Sequence, residues 1–160
     1  WDLGEEKFAR KIAAWIISER EKRKFERTSH LADGIEKLLG RRGRNHPATK
    51  VFQALRMEVN DELGELRRFL KVAPDLLKPG GRLAIITFHS LEDRIVKRFM
   101  RRMAGRPEHR RDSRSIHERV AHAKLTSTKA VKPSVEEIER NTRSRSARMR
   151  VLQKISQPEL

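Results

Sequence analysis

PGGRLAIITFHSLEDR, residues 79–94, sets the architecture of this chain. Pro79 followed by Gly80 and Gly81 ends one element and permits an abrupt reversal, because glycine tolerates the positive backbone angles such a turn needs. Leu83 to Phe88, LAIITF, is a short apolar run rich in β-branched residues and without alternation. That pattern predicts a strand covered on both faces, as in a parallel sheet. His89, Ser90, Glu92, Asp93 and Arg94 then make a polar crest at its C-terminal end, the end at which open α/β sheets bind ligands.

Working outward, Leu91 to Met103 places Ile95, Val96 and Phe99 at helical spacing, so strand, polar loop and helix form a βα unit. Upstream, Phe52, Leu55, Val59, Leu63, Leu66 and Leu70 fall three or four apart, which predicts one long helix from Thr49 with a single buried stripe. Pro74 opens a short helical turn holding Leu76 and Leu77. Nearer the N-terminus, Phe8, Ile12, Trp15 and Ile16 mark an amphipathic helix. Thr28 or Ser29 can cap a second helix bearing Leu31, Ile35, Leu38 and Leu39, which Gly40 ends. RRGRNHP, residues 41–47, reads as an exposed connector. Downstream of the βα unit, residues 105–120 are polar and Arg-rich, as expected of a mobile loop. Leu125 to Val131 resembles a weak strand, Ser134 and Glu137 form a capping box, and Ala147, Met149 and Val151 alternate with Arg148, Arg150 and Leu152 as in a strand.

A chain of 160 residues can bury one real core. With 38% charged against 36% hydrophobic residues, that core must be thin. The formal net charge of +16 divides as +5 over residues 1–80 and +11 over 81–160, a field suited to a polyanion, most simply nucleic acid. Between Lys97 and Arg150 stand 17 Lys and Arg against 6 Asp and Glu, so a merely solvated basic surface is the weaker explanation. No apolar run is long enough to span a bilayer. The absence of cysteine excludes disulfides and thiolate metal sites and suits a cytoplasmic protein. His109, His117 and His122 lie at irregular spacing in the basic loop, and no metal site is expected there. The chain begins Trp1-Asp2-Leu3 and its first methionine is Met57, as expected of a processed product or of a segment of something longer.

Arg143, Arg145, Arg148 and Arg150 alternate at strand spacing and would present guanidinium groups on one face to phosphate oxygens. A solvated strand face is the competing reading. At the crest, Ser90 can cap the helix that follows while Glu92 and Asp93 sit favourably in its first turn. The same residues can equally serve a ligand.

LKPGGRL, residues 77–83, resembles the turn before the fifth strand of class I methyltransferases that use S-adenosyl-L-methionine (AdoMet). Three stretches taken together make the resemblance specific: NHPATKVFQALRMEVNDELGEL (45–66), GGRLAIITFHSLEDRIVKRF (80–99) and KPSVEEIERNTRSRSARMRV (132–151). They strongly resemble the family of bacterial 16S rRNA cytosine-N4 methyltransferases, also called MraW or RsmH, and GEEKFARKIA (4–13) fits as well. Thr142 departs from the proline usual before RSRSA in that family.

The resemblance implies an α/β fold, the C-terminal half of a class I, Rossmann-like methyltransferase sheet with part of a helical insertion domain. Residues 1–44 would belong to that substrate-side insertion and 45–160 to the methyltransferase domain. It implies AdoMet as cofactor, held by a glycine-rich loop in an N-terminal half that these residues lack, so no cofactor-binding residue is expected here. The implied partner is 16S rRNA or the small ribosomal subunit, with the target cytidine turned out of its stack. The exocyclic N4 of cytosine is a poor nucleophile, and a carboxylate that accepts its N–H hydrogens suits the reaction. Glu92 and Asp93, with His89 and Ser90 beside them, are the candidates for that work. A basic RNA-binding module without catalysis and a class I methyltransferase with another substrate are the alternatives.

Overall fold

The structure, a computed structural model, describes residues 2–41, 43 and 45–156. Trp1 and, within the expected connector, Arg42 and Arg44 lie outside the described residues. The chain divides into two compact units, Trp1–Glu62 and Leu63–Leu160. The stretch expected as insertion, residues 1–44, falls within the first. Among the described residues, no helix is long and apolar enough to cross a membrane.

In the first unit, α1 (Ala9–Lys22) packs on α2 (Thr28–Leu39), and Ile12, Ile35 and Ala48 form the buried centre. Trp15, Ile16, Leu31, Leu38 and Phe52 close around it, so the predicted helical stripes are those that meet. Gly34 is required by contact: a Cβ there would come 2.1 Å from the Trp15 ring. That ring also meets Phe25 edge-on, with centroids 5.9 Å apart. The cap of α2 is Arg27, which contributes no side-chain bond, so neither Thr28 nor Ser29 fills the expected role. His46 holds the end of the connector, accepting from the Ala48 N–H through Nδ1 at 3.1 Å and lying 3.2 Å from Glu36 Oε2 through Nε2.

The single long helix expected from Thr49 is instead two, α3 (Thr49–Val59) and α4 (Glu62–Val72). Asn60 ends the first, and Asp61 takes a positive φ of 47°, a left-handed conformation that Asp tolerates better than most residues and that no helix continues through. The apolar stripe breaks with it. Leu63 and Leu70 are buried, whereas Leu55 is 44% and Val59 82% exposed.

The second unit is a three-stranded sheet against which α4 and α5 pack. β1 (Arg82–Thr87) is followed by α5 (Ser90–Met103), β2 (Ala123–Leu125), α6 (Val135–Arg140) and β3 (Arg148–Lys154), in strand order β1-β3-β2. β3 runs antiparallel to both neighbours, with Ile86 opposite Met149 and Leu125 opposite Leu152. β1 and β2 therefore point the same way. The expected parallel neighbour for β1 is not what the described residues supply, and its burial alternates: Leu83, Ile85 and Thr87 face the helices, while Ile86 is 57% exposed. The chain runs antiparallel here because its last strand returns between the first two. Leu70 of α4 and Val96, Phe99 and Met100 of α5 pack on Ala123 and Leu152 to make the core. Each fully buried aliphatic among them contributes about 1.5–3 kcal/mol.

Gly80, at φ +80°, makes the reversal into β1; its N–H donates to the Lys154 carbonyl at 2.9 Å and its carbonyl accepts from Gln153 Nε2 at 2.8 Å. The segment expected as one weak strand touches the sheet twice, as β2 and again where Val131 exchanges backbone bonds with Met149. Residues 105–120 are more organised than a structureless loop. Asp112 accepts from the Glu108 and Arg114 N–H groups and from the Arg114 guanidinium at 2.8–3.3 Å, and a turn of 3-10 helix follows at Ile116–Glu118. The Arg114 side chain, then the Glu108 N–H, hold the Asp112 carboxyl well below the usual carboxylate range.

Candidate functional site

The polar crest sits at the β1 to α5 junction. His89, extended at φ −139°, is the N-cap of α5: its Nδ1 accepts from the Glu92 N–H at 3.4 Å. Glu92 answers through Oε2, which accepts from the Phe88 N–H at 2.9 Å and the His89 N–H at 3.3 Å. This is a reciprocal capping box in which histidine replaces the usual Ser or Thr. Ser90, the expected cap, is the exposed first residue of the helix. Since Nδ1 accepts, the neutral ring carries its proton on Nε2. Glu92 Oε1 stands 3.3 Å from that Nε2 yet outside hydrogen-bonding alignment, leaving a buried donor without a partner.

Asp93 faces the opposite way, into the protein. It is 5% exposed, and Arg150 of β3 grips it with both arms of its fork, Nε to Oδ1 at 2.7 Å and Nη2 to Oδ2 at 3.1 Å. Arg148 Nη1 adds a third bond to Oδ2 at 3.1 Å. Burial pushes the Asp93 carboxyl up, but the Arg150 and Arg148 contacts together outweigh it and hold it below its ordinary value of 3.8. Both oxygens are thus occupied by guanidinium groups. Asp93 fixes α5 against β3 and does not present an open carboxylate beside Glu92.

The four arginines expected on one strand face separate into two pairs. Arg148 and Arg150 stand two apart on β3, on one side of the strand as alternation demands, and both turn to Asp93. Arg150 keeps only 13% of its side chain exposed, Arg148 46%. Arg143 and Arg145 belong to a 3-10 segment, Thr142–Ser146, and are exposed. Asn141 starts that segment by accepting from the Arg143 N–H at 3.2 Å, while the buried Ser144 donates its hydroxyl to the Asn141 carbonyl at 2.8 Å. Sequence spacing missed the Asp93 pairing, because its partners lie 55 and 57 residues away and no local periodicity marks them. Its one signal was an acidic residue at helical spacing from apolar ones, Asp93 with Val96 and Met100 three and seven residues on.

A cradle for AdoMet of the kind the sequence anticipated needs glycines between a strand and the helix that follows, so that backbone N–H groups can approach the ligand. At the β1 to α5 junction, Thr87-Phe88-His89-Ser90 stand instead, and His89 and Glu92 use the helix-terminal N–H groups themselves. Gly80 and Gly81 lie at the other end of β1, tied to Lys154 of β3. Neither end of β1 offers the glycine-lined cradle that such a cofactor needs.

Over residues 1–155 the chain matches the family described as the MraW methylase family. It is 49% identical over 154 residues to the ribosomal RNA small subunit methyltransferase H of Elusimicrobium minutum, an alignment covering 96% of this chain and 48% of that protein. The proteins of the same name from Brucella ovis and Brucella abortus are each 52% identical over 150 residues, covering 92% of this chain and 43% of theirs. The chain spans about half the length of the curated relatives it matches.

Proposed function

The chain belongs to the MraW methylase family, and from that premise we propose that it is the C-terminal part of an rRNA methyltransferase that moves a methyl group from AdoMet to N4 of a cytidine in 16S rRNA, in the cytoplasm. The observation that carries this reading is identity of about half over more than nine-tenths of the chain to proteins named for small-subunit rRNA methylation. AdoMet supplies the methyl group and is held outside residues 1–160. These residues contribute the side that meets the base and the RNA, with 1–44 in the substrate-side insertion.

In this reading the His89 to Glu92 crest lies beside the cytosine. Glu92 accepts a hydrogen of N4 and thereby orients its lone pair, and His89 and Ser90 line the same edge. The lock of Glu92 onto the Phe88 and His89 N–H groups keeps its carboxylate from swinging away, which is the preorganisation such a contact needs. Asp93 serves by position: through Arg150 and Arg148 it fixes the angle at which α5 leaves the strand. Arg143 and Arg145, exposed on their 3-10 turn, hold phosphates.

The test is methylation of small subunits lacking the modification by the full-length protein with labelled AdoMet, read by mass spectrometry of the released nucleosides. N4-methylcytidine is the expected product. Label on carbon 5, on ribose or on another base overturns the assignment. The net charge of +11 over residues 81–160 supports a second reading for the segment alone, a basic RNA-binding module. RNA binding by the full-length protein with no methyl transfer would establish it.

A further inference from the structure

Between α4 and α5 lies a cleft of about 780 Å³; Leu70 and Phe99 of the core reach its wall, while His89, Glu92 and the four arginines of residues 143–150 lie outside it. Leu70 of α4 and Ile95, Phe99 and Met103 of α5 line its apolar part. Five Lys and Arg side chains line it against two carboxylates, Asp75 and Glu108. The cations are ordered by helix geometry: Arg67 and Lys71 stand four apart on α4, Arg98 and Arg102 four apart on α5, so each helix contributes a row of positive charge.

Their engagement differs. Arg102 lies over the Phe99 ring at 5.8 Å and reaches Glu108 at 3.5 Å. Glu108 is also held by Arg114 at 3.0 Å, so little of its charge remains for the cleft. Among the described residues Arg67, Lys71 and Arg98 form no ion pair that would neutralise them. The cleft leads on to a smaller hollow that shares Arg102, Met103 and His122 with it and adds Arg106 and Arg119.

We infer that the α4–α5 cleft is a second RNA-binding groove, taking single-stranded RNA with phosphates on Arg67, Lys71 and Arg98 and a base against the Arg102 guanidinium that rests on Phe99. The inference rests on reading the chain as part of an rRNA-modifying protein. Charge chooses the occupant. An apolar floor flanked by uncompensated cations matches a strand whose bases stack and whose backbone is anionic, and arginine planes serve as stacking platforms for unpaired bases. A neutral or basic helix would leave those cations buried without partners.

The experiment measures binding of fluorescein-labelled oligouridylate and of a small-subunit rRNA transcript to the full-length protein across a salt series. The double change Arg67→Gln and Arg98→Gln is expected to weaken both by at least tenfold and to lower the slope of log affinity against log salt by about 1.4, some 0.7 per lost single-strand contact. Calorimetric AdoMet affinity and the melting curve should stay unchanged, showing an intact fold. Cross-linking of 4-thiouridine RNA to the unaltered protein, mapped by mass spectrometry, gives a measure free of folding effects, with adducts expected on α4 and α5. Normal affinity and slope in the variant, or adducts elsewhere only, overturn the groove while leaving methylation standing. Tighter binding of a polyglutamate peptide than of oligouridylate, lost on the same double change, assigns the cleft to an acidic protein and also overturns it. Failure of the unaltered protein to bind either RNA overturns the proposed function together with the groove.

Discussion

Asp93 and Arg150 are 57 residues apart in the chain and 2.7 Å apart in the structure. The bond joins the first turn of α5 to the middle of β3, and Arg148 completes it from two residues away. Asp93, a carboxylate that sequence alone offered as a candidate beside the base, joins α5 to β3 through both of its oxygens.

Arg150→Ala leaves Asp93 buried with one partner. Breaking a buried pair from one side costs roughly 3–5 kcal/mol, and the remaining Arg148 puts the expected loss near the lower end. Chemical denaturation of the full-length protein should show it, while Arg148→Ala, at a more exposed position, should cost less. Equal and small effects from both would mean the pair contributes little.

The depressed Asp93 carboxyl also sets a pH dependence. A group whose pKa is lower folded than unfolded adds stability above its unfolded value, near 3.9, and loses it as pH falls through the folded value. Asp112 acts in the same sense. Stability should be level between pH 5 and 7 with respect to these groups and fall below about pH 4. In Asp93→Asn the protein should be weaker at neutral pH and its acid limb shallower; an acid limb of unchanged steepness would remove Asp93 from this role.

Glu92 separates capping from catalysis. Glu92→Gln retains an oxygen for the Phe88 and His89 N–H groups, so the melting temperature should hardly move, whereas Glu92→Ala should cost about 1 kcal/mol. Methyl transfer by the full-length protein should fall about a hundredfold in both. A fully active Gln variant would leave Glu92 as a cap alone.

Residues 1–160 expressed alone should show no micromolar AdoMet affinity by calorimetry and no methyl transfer, because the β1 to α5 junction is capped by side chains instead of opened by glycine. Binding at that strength would place a cofactor site within these residues.

The same segment should self-associate. Ile86 and Phe88 are more than half exposed, and among the described residues β1 pairs on one side only, leaving backbone donors and acceptors open along its edge. Sedimentation should show a smaller associated fraction for the pair Ile86→Thr and Phe88→Ser at equal concentration. A monomer before and after the change would show that the edge is inert.

Much of this was legible in the residues. The periodicities of α1, α2 and α5, the PGG turn and the existence of strands near 82–87 and 148–154 follow from local chemistry: helical spacing, glycine at a positive φ, a β-branched apolar run and, for the last strand alone, alternation; that the first strand is covered on one face only was not legible. Of the expected capping box at α6, the Ser134 half forms, accepting from the Glu137 N–H at 3.2 Å. The break at Asp61 was not legible, since an unbroken stripe gives no sign that one residue will turn left-handed. Nor was the identity of the α5 cap, where His89 rather than Ser90 takes the place.

By itself the sequence determined the family, the βα unit and the excess of positive charge, because each is written in neighbouring residues or in composition. Only the tertiary structure decided what the charges do. Arg143, Arg145, Arg148 and Arg150 look alike in spacing, yet the fold buries Arg150 against Asp93 and leaves Arg143 and Arg145 exposed. Likewise Arg67 and Arg98 become one groove only when α4 and α5 pack side by side. Burial and pairing are properties of residues brought together across the chain, and a carboxylate or a guanidinium acquires its role from whichever partner the packing supplies.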